Sequence, residues 1–272
     1  MTNDSHLINL DDVIKAKAGK KAKYFPKFLI NYLKKLVHQD FLNEFLKNGY
    51  TGGEFCEKTL EYLGVKVEVE GLENLPEPDG DKHYTFASNH PLGAIDGVAL
   101  AGILAKKYDE KVACLVNDFL MYLKGLAPLC VPVNKTGSQS RNLPRLVNDA
   151  FNSDKEMLMF PAGSCSRKIN GVIQDLPWTK TFISKSVASK RDIVPIHFIG
   201  ENSKRFYRVA KLCKVLKLKF NIAMLFLPDE MYRSRGKVYR VIIGKPIPYT
   251  VFDKSRTPLE WANYVREKVY EL

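Results

Sequence analysis

Two side chains whose types and spacing suit acid–base chemistry are His90 and Asp96, in the stretch Ser88-Asn89-His90-Pro91-Leu92-Gly93-Ala94-Ile95-Asp96-Gly97-Val98-Ala99. A histidine near neutral pH can take a proton from a hydroxyl. A carboxylate beside it fixes the ring tautomer and stabilises the imidazolium that forms. By itself a histidine beside a proline is more often structural than catalytic. The company is more telling: an apolar run, His83 to Ala87, precedes it, and an Ala/Leu-rich run, Val98 to Ala105, follows. The first reads as a buried strand and the second as a helix, with Asp96 on its first turn. A strand-to-helix junction is where α/β proteins place their chemistry. Gly93 would let a substrate chain approach the backbone closely.

A second constellation is Phe160-Pro161-Ala162-Gly163-Ser164-Cys165-Ser166-Arg167-Lys168. A strand ends in Pro-x-Gly, and small polar residues and two cations follow. Backbone N–H groups of Gly163, Ser164 and Ser166, with Arg167 and Lys168, could hold a phosphate or carboxylate. An ordinary loop with solvated cations is the competing reading. Cys165 is a poor nucleophile candidate, because no histidine or acid lies near it in sequence.

Elements that could position these residues alternate along the chain. Val65 to Glu70 alternates apolar and charged, a half-exposed strand. Apolar runs near Val112–Val116, Leu129–Val133, Met157–Phe160, Ile193–Phe198, Phe220–Leu227 and Val238–Ile243 read as further strands. Segments near 54–63, 119–123, 141–151, 180–189 and 258–270 read as helices. Short strands alternating with helices predict an α/β fold, a largely parallel mixed sheet flanked by helices.

The 272 residues carry 42 Lys+Arg against 30 Asp+Glu, a net charge of +12, which implies an anionic partner. Eight lysines fall between Lys15 and Lys35 with no acid among them. Phe25, Phe28, Leu29, Tyr32, Leu33 and Leu36 recur among them at three- and four-residue steps, an apolar stripe on a helix. Pro26 suits the first turn. Phe41, Leu42, Phe45 and Leu46 continue the pattern in a second helix. Such a basic amphipathic hairpin can lie on an anionic membrane surface through Lys20, Lys21, Lys23, Phe25, Lys27, Phe28, Lys34 and Lys35. It can also dock on the main domain with its lysines in solvent, and the two are compatible. Residues 204 to 219 hold seven basic residues and no acid, a second helix of the same kind. No apolar run reaches 18 residues, so no transmembrane helix is expected, and the N-terminus lacks the apolar stretch of a secretory signal. The five scattered cysteines read as reduced thiols with no zinc site. Leucine and phenylalanine within the basic runs, and the lack of a binding motif, argue against a nucleic-acid partner.

The two motifs together resemble the glycerolipid acyltransferase superfamily. That family carries Asn-His-(four residues)-Asp after a strand and, some 70 residues later, Phe-Pro-Glu-Gly-(Thr/Ser)-Arg-Ser, followed by a strand with Val-Pro. Here Asn89-His90…Asp96, Phe160 to Arg167, and Val194-Pro195 occur in that order, and Gly244-Lys245-Pro246-Ile247 looks like the family's late Gly-x-Pro-Ile element. The resemblance covers roughly residues 65 to 250. The chain departs twice: five residues separate His90 from Asp96, and Ala162 replaces the glutamate. Both departures, and the stretches Asn31-Tyr32-Leu33-Lys34-Lys35 and His38-Gln39-Asp40, look like the bacterial branch of lyso-ornithine and lyso-glycine lipid O-acyltransferases, also called hemolysin-like. The extra residue is expected to loop out at Pro91–Gly93, because on a helix it would turn the side chain by about 100°.

The resemblance implies transfer of an acyl group from an acyl carrier protein or coenzyme A thioester to the hydroxyl of a lyso-lipid. His90 would be the general base and Asp96 its orienting carboxylate. Asn89, Gly93, Gly163, Ser164, Ser166, Arg167 and Lys168 would meet substrate, with no bound cofactor and no metal. With the basic amphipathic pattern of the N-terminal helices, the expected organisation is a helical membrane-associating segment (1–63) and an acyltransferase domain (64–272), peripheral on the cytoplasmic face of the inner membrane. Lysophosphatidic acid acylation, and a catalytically degraded lipid-binding module, are the alternatives.

Overall fold

A computed structural model describes residues 7–116, 120–121, 123–133, 142–216 and 222–272; the side chains of residues 16–18, 20–22 and 222 fall outside that description. The chain runs through α1 (Leu10–Ala18), α2 (Lys27–Leu36), α3 (Gln39–Leu46), α4 (Gly52–Leu63), β1 (Lys66–Glu70), β2 (Tyr84–Ser88) and α5 (Ile95–Lys107). There follow β3 (Val112–Val116), β4 (Cys130–Pro132), α6 (Leu143–Phe151), β5 (Glu156–Met159), β6 (Arg167–Ile169) and β7 (Val172–Gln174). The last elements are α7 (Thr181–Ala188), β8 (Asp192–Ile199), α8 (Lys204–Val215), α9 (Leu227–Arg233), β9 (Val238–Ile243) and α10 (Pro258–Glu271).

Seven strands form one sheet in the order β1-β9-β8-β2-β5-β3-β4. Neighbours run parallel except β8 and β9, which are antiparallel. β2 lies inside the sheet and is buried along its whole length, which is why it reads as a continuous apolar run rather than an alternating one. Successive residues of the central strands feed opposite faces. Phe86, Leu158, Val194, Ile196 and Phe198 pack with α3, α4 and α5 through Phe45, Phe55 and Leu100. Ala87, Met157, Met159 and Ile193 pack with α6, α7 and α10 through Phe151, Phe182 and Val265. A capping box between Thr257 and Glu260, with Pro258 at the first helical position, starts α10.

Pro195, in a central strand, is accommodated at a change of partner. Beyond it β8 pairs with β9, starting at Ile196 and Ile243. Before it Ile193 exchanges two hydrogen bonds with Ile247, and the Gly244 N–H donates to the Pro195 carbonyl. A Cβ on Gly244 would lie 2.9 Å from Pro195 Cγ, so the late glycine allows this close approach.

Three expectations change. Phe220–Leu227 is not a strand: the described part, Ile222–Phe226, is a 3₁₀ turn running into α9. A six-residue apolar run does not by itself distinguish strand from buried helix. Pro228, Asp229 and Glu230 in the next turn are helix-start chemistry. The helix expected near 119–123 lies partly outside the described residues, and Lys124–Leu129 is a short 3₁₀ segment. Pro26 caps α2 from an extended conformation instead of entering its first turn.

The basic helices dock together. Leu33 and Leu36 of α2 join Phe206 and Ala210 of α8, Phe226, and Cys165 in a third cluster. Phe28, 76% exposed, Tyr24 and Tyr32 point outward, as do Leu212 and Val215 of α8, the latter 67% exposed, and Leu216 just beyond it. Lys23, Phe25, Lys27 and Lys35 are exposed as well. Lys34 is not free: its Nζ is 2.5 Å from Asp11 Oδ2. Lys20 and Lys21 have side chains outside the described residues.

Candidate active site

β2 delivers His90 to the carboxyl end of the sheet. Asn89 secures the exit: its side-chain amide donates to the Phe198 carbonyl at 2.9 Å and accepts the Phe198 N–H at 2.7 Å. The amide extends the β2–β8 ladder by one step. Asn89 is buried, and its expected substrate contact is corrected to a structural one.

Residues 91–94 form an irregular loop before α5, with Gly93 at φ +80°. The carboxylate of Asp96 organises that loop. Oδ2 accepts the N–H groups of Leu92 (2.9 Å) and Gly93 (3.2 Å), and Oδ1 accepts that of Gly97 (2.9 Å). Oδ2 also lies 3.0 Å from His90 Nδ1. The contact has ion-pair distance, although the ring N–H is not well aligned with the oxygen. The extra residue is thus taken up before the helix, and the two side chains meet. A Cβ on Gly93 would lie 2.8 Å from Cys165 Cβ, so this glycine makes room for the neighbouring loop and not for a substrate chain.

Burial pushes both groups toward their neutral forms, and their mutual contact overrides it. Asp96 is held below the usual carboxylate range by His90 and by the Leu92 and Gly93 N–H groups. His90 is raised above its usual value by Asp96, with help from Asp175 and against Arg167. The imidazole stacks on Phe160, centroids 4.1 Å apart, and its side chain is 17% exposed. Nε2 has no hydrogen-bond partner among the described residues.

The 160–168 loop leaves β5, the strand next to β2, and so lies beside His90. Its Ser166 N–H donates to the His90 carbonyl at 2.7 Å and its Gly163 N–H to the Phe160 carbonyl at 2.9 Å. Ser166 Oγ donates to Asp175 at 2.6 Å. Ser166 is therefore buried and spent inside the protein, a correction to its expected place on substrate. Gly163 is exposed and Ser164 half-buried, with the N–H groups of Ser164 and Cys165 free of intramolecular bonds among the described residues. Arg167 curls back: one Nη donates to the carbonyls of Cys165 (2.6 Å) and Ser166 (3.2 Å), and the guanidinium covers the Phe206 ring. Lys168 is exposed on the β6–β7 hairpin. Ala162 packs against the cluster formed with α6, α7 and α10. Cys165 is buried, and burial pushes its thiol up, which leaves it mostly protonated and a weak nucleophile.

Asp175 and Trp178 were not apparent from the sequence. Asn170-Gly171, both at positive φ, turn the β6–β7 hairpin back under His90 and deliver Asp175 there. That dipeptide between apolar residues is the signal that announces the hairpin.

Three comparisons bear on the chain. The acyltransferase family profile matches residues 12–272. A lyso-glycine lipid O-acyltransferase from Bacteroides thetaiotaomicron is 56% identical over the full length of both chains. One from Phocaeicola vulgatus is 55% identical, covering 100% of this chain and 98% of its own. In fold, the chain is similar to the crystal structure of the 1-acyl-sn-glycerophosphate (LPA) acyltransferase PlsC from Thermotoga maritima. The TM-score is 0.50 at 14% identity, with 96% and 94% of the two chains covered. A profile spanning nearly the whole chain and full-length relatives above half identity place this protein, an acyltransferase, in the acyltransferase family.

Proposed function

We propose that the protein transfers a fatty acyl group from an acyl thioester to the hydroxyl of a lyso-glycine lipid. The observation that carries the chemistry is the His90–Asp96 pair at 3.0 Å, with Nε2 unpartnered among the described residues. His90 Nε2 takes the proton of the acceptor hydroxyl as its oxygen bonds to the thioester carbonyl carbon. The carbonyl oxygen becomes an oxyanion, held by the free N–H groups of Ser164 and Cys165 and by Arg167. The C–S bond then breaks, the carbonyl re-forms, and the departing sulfur takes the proton from the imidazolium. Asp96 stabilises that imidazolium throughout. No acyl-enzyme forms. Full-length identity to two lyso-glycine lipid O-acyltransferases supports the acceptor.

The donor is acyl carrier protein or coenzyme A, both acidic, and the +12 charge favours either. No helix among the described residues is long and apolar enough to cross a membrane. The outward faces of α2 and α8 seat the protein on an anionic bilayer surface, the cytoplasmic face of the inner membrane. Lys23, Lys27 and Lys35 meet headgroups while Phe25 and Phe28 enter the interface.

The test is a transfer assay with purified protein, lyso-glycine, lyso-ornithine and lysophosphatidic acid acceptors, and both donors. Acylation of lyso-glycine lipid above the other two is expected. Preference for lysophosphatidic acid, or transfer to none, would overturn the reading.

A further inference from the structure

The base and the cation-bearing turn sit on separate loops, one after β2 and one after β5. Three contacts tie them. The Ser166 N–H reaches the His90 carbonyl, the Phe160 ring stacks on the imidazole, and Asp175 grips both loops at once. Oδ1 of Asp175 accepts Ser166 Oγ at 2.6 Å. Oδ2 accepts Trp178 Nε1 at 2.9 Å. The His90 N–H is shared between the two oxygens at 3.2 and 3.3 Å. The Asp175 N–H is held in turn by Tyr270 Oη of α10 at 3.0 Å. Asp175 is 2% exposed; burial pushes its carboxyl up, while every partner of the carboxylate is a donor, the pattern that favours the ionised form against burial.

We propose that Asp175 is a positioning residue for acyl transfer: it locks the His90 backbone to Ser166, so that the base and Arg167 keep a fixed separation across the reacting groups. This rests on His90 being the base. The carboxylate touches no atom of the imidazole ring and acts through the backbone of one loop and a side chain of the other. Trp178 and Tyr270 fix it from behind, so the lock is braced against α10. Its charge also reaches the ring, alongside Asp96 and against Arg167. Around it stand His197, whose ring lies 5.4 Å from that of Tyr270, and Arg266, over the same ring.

Initial rates of lyso-glycine lipid acylation across the pH range of histidine titration test this, with wild type, His90→Ala, Asp175→Asn, Ser166→Ala and the Ser166→Ala/Asp175→Asn double variant. Melting temperatures are measured in parallel. A slip of about 1 Å between reacting groups costs up to about 100-fold. Asp175→Asn is therefore expected to lower kcat by about 10- to 100-fold with KM within about threefold. The acid limb of kcat/KM should move to lower pH, because a charge favouring the imidazolium is gone. Ser166→Ala should lower kcat less, and the double variant should be no worse than Asp175→Asn alone, since both cut one tie. If His90→Ala is inactive while Asp175→Asn keeps wild-type kcat and an unmoved acid limb, the positioning role is wrong. A loss that only follows melting temperature, with an unmoved limb, overturns it too. If Asp175→Asn does not fold, Ser166→Ala decides: wild-type kcat rejects the tie. An active His90→Ala would instead remove the base assignment on which the proposal stands.

Discussion

Oδ2 of Asp96 lies 3.0 Å from His90 Nδ1 and accepts the N–H groups of Leu92 and Gly93 as well. One oxygen both charges the base and shapes the loop that carries it. The two residues should therefore fail differently. His90→Ala removes the base and the charge partner of the buried Asp96, so activity should fall on the order of 10²- to 10⁴-fold with some loss of stability, smaller than that of Asp96→Ala because the loop N–H groups keep their acceptor. Asp96→Ala removes the base's partner and also strands backbone N–H groups in a buried loop, at about 1–3 kcal/mol for each left unsatisfied. It should lose activity and unfold at lower denaturant concentration. Rates and urea titrations of the two variants side by side check this.

The pH dependence follows from the direction of the His90 shift. A base works when neutral. Its folded-state pKa is raised above the 6.5 of a free imidazole, so the acid limb of kcat/KM should bend above pH 6.5, and activity should fall as pH drops through that point. Asp96→Asn removes the dominant favourable charge and should shift the limb downward. A wild-type limb below 6.5 would contradict the assignment of His90 as the titrating base.

The parts of this site that the sequence reveals are those made by neighbours in the chain. His90, Asp96 and the Phe160–Arg167 loop belong to local stretches, and the strands bearing them, buried on both faces, read as plain apolar runs. Asp175 escapes a reading of the sequence because its link to His90 spans 85 positions: Asn170-Gly171 announces the hairpin before it but not where the carboxylate lands. Asn89 misled for the opposite reason. A polar side chain beside a catalytic histidine looks like a substrate contact, yet its partner is the Phe198 backbone 109 positions away. The Ser166 hydroxyl, which also looks available to substrate, is taken by Asp175 nine positions on. The amphipathic helices were legible as periodic stripes, but the pairing of Lys34 with Asp11 arises only once α1 folds back beside α2.

The outward faces of α2 and α8 make a quantitative expectation for membrane binding. Burying an aromatic or leucine side chain in an interface is worth about 1.5–3 kcal/mol, and each lysine near an anionic surface about 1 kcal/mol. Phe28→Asp and Leu212→Asp should each weaken binding to anionic vesicles by roughly tenfold or more. Lys35→Glu should weaken it less and in a salt-dependent way. All three should leave melting temperature within about 2 °C, since exposed substitutions change stability little. Vesicle sedimentation at two salt concentrations separates the contributions. Unchanged binding of Phe28→Asp would remove α2 from the interface.

Cys165 and Gly93 give the sharpest separation of packing from chemistry. The thiol is buried against Gly93, Leu227 and the third cluster, and burial pushes it up. With no acyl-enzyme in the mechanism, Cys165→Ala should keep activity within about threefold, because it deletes one buried atom and no reacting group. Gly93→Ala should behave in the opposite way. It forces an L side chain to φ +80° and sets a Cβ 2.8 Å from Cys165 Cβ, for which a loss of about 1–3 kcal/mol is the expected scale. It should also lower kcat, because the Gly93 N–H is one of the groups that hold Asp96. In the double variant the φ strain and the Cβ–Cβ contact remain, since alanine keeps its Cβ, but the clash with Sγ at 3.0 Å is relieved. Cys165→Ala should therefore restore only part of the stability lost in Gly93→Ala. Thermal melts and single-turnover acyl transfer on the three variants provide the check. An inactive, well-folded Cys165→Ala would show that the thiol takes part in the reaction.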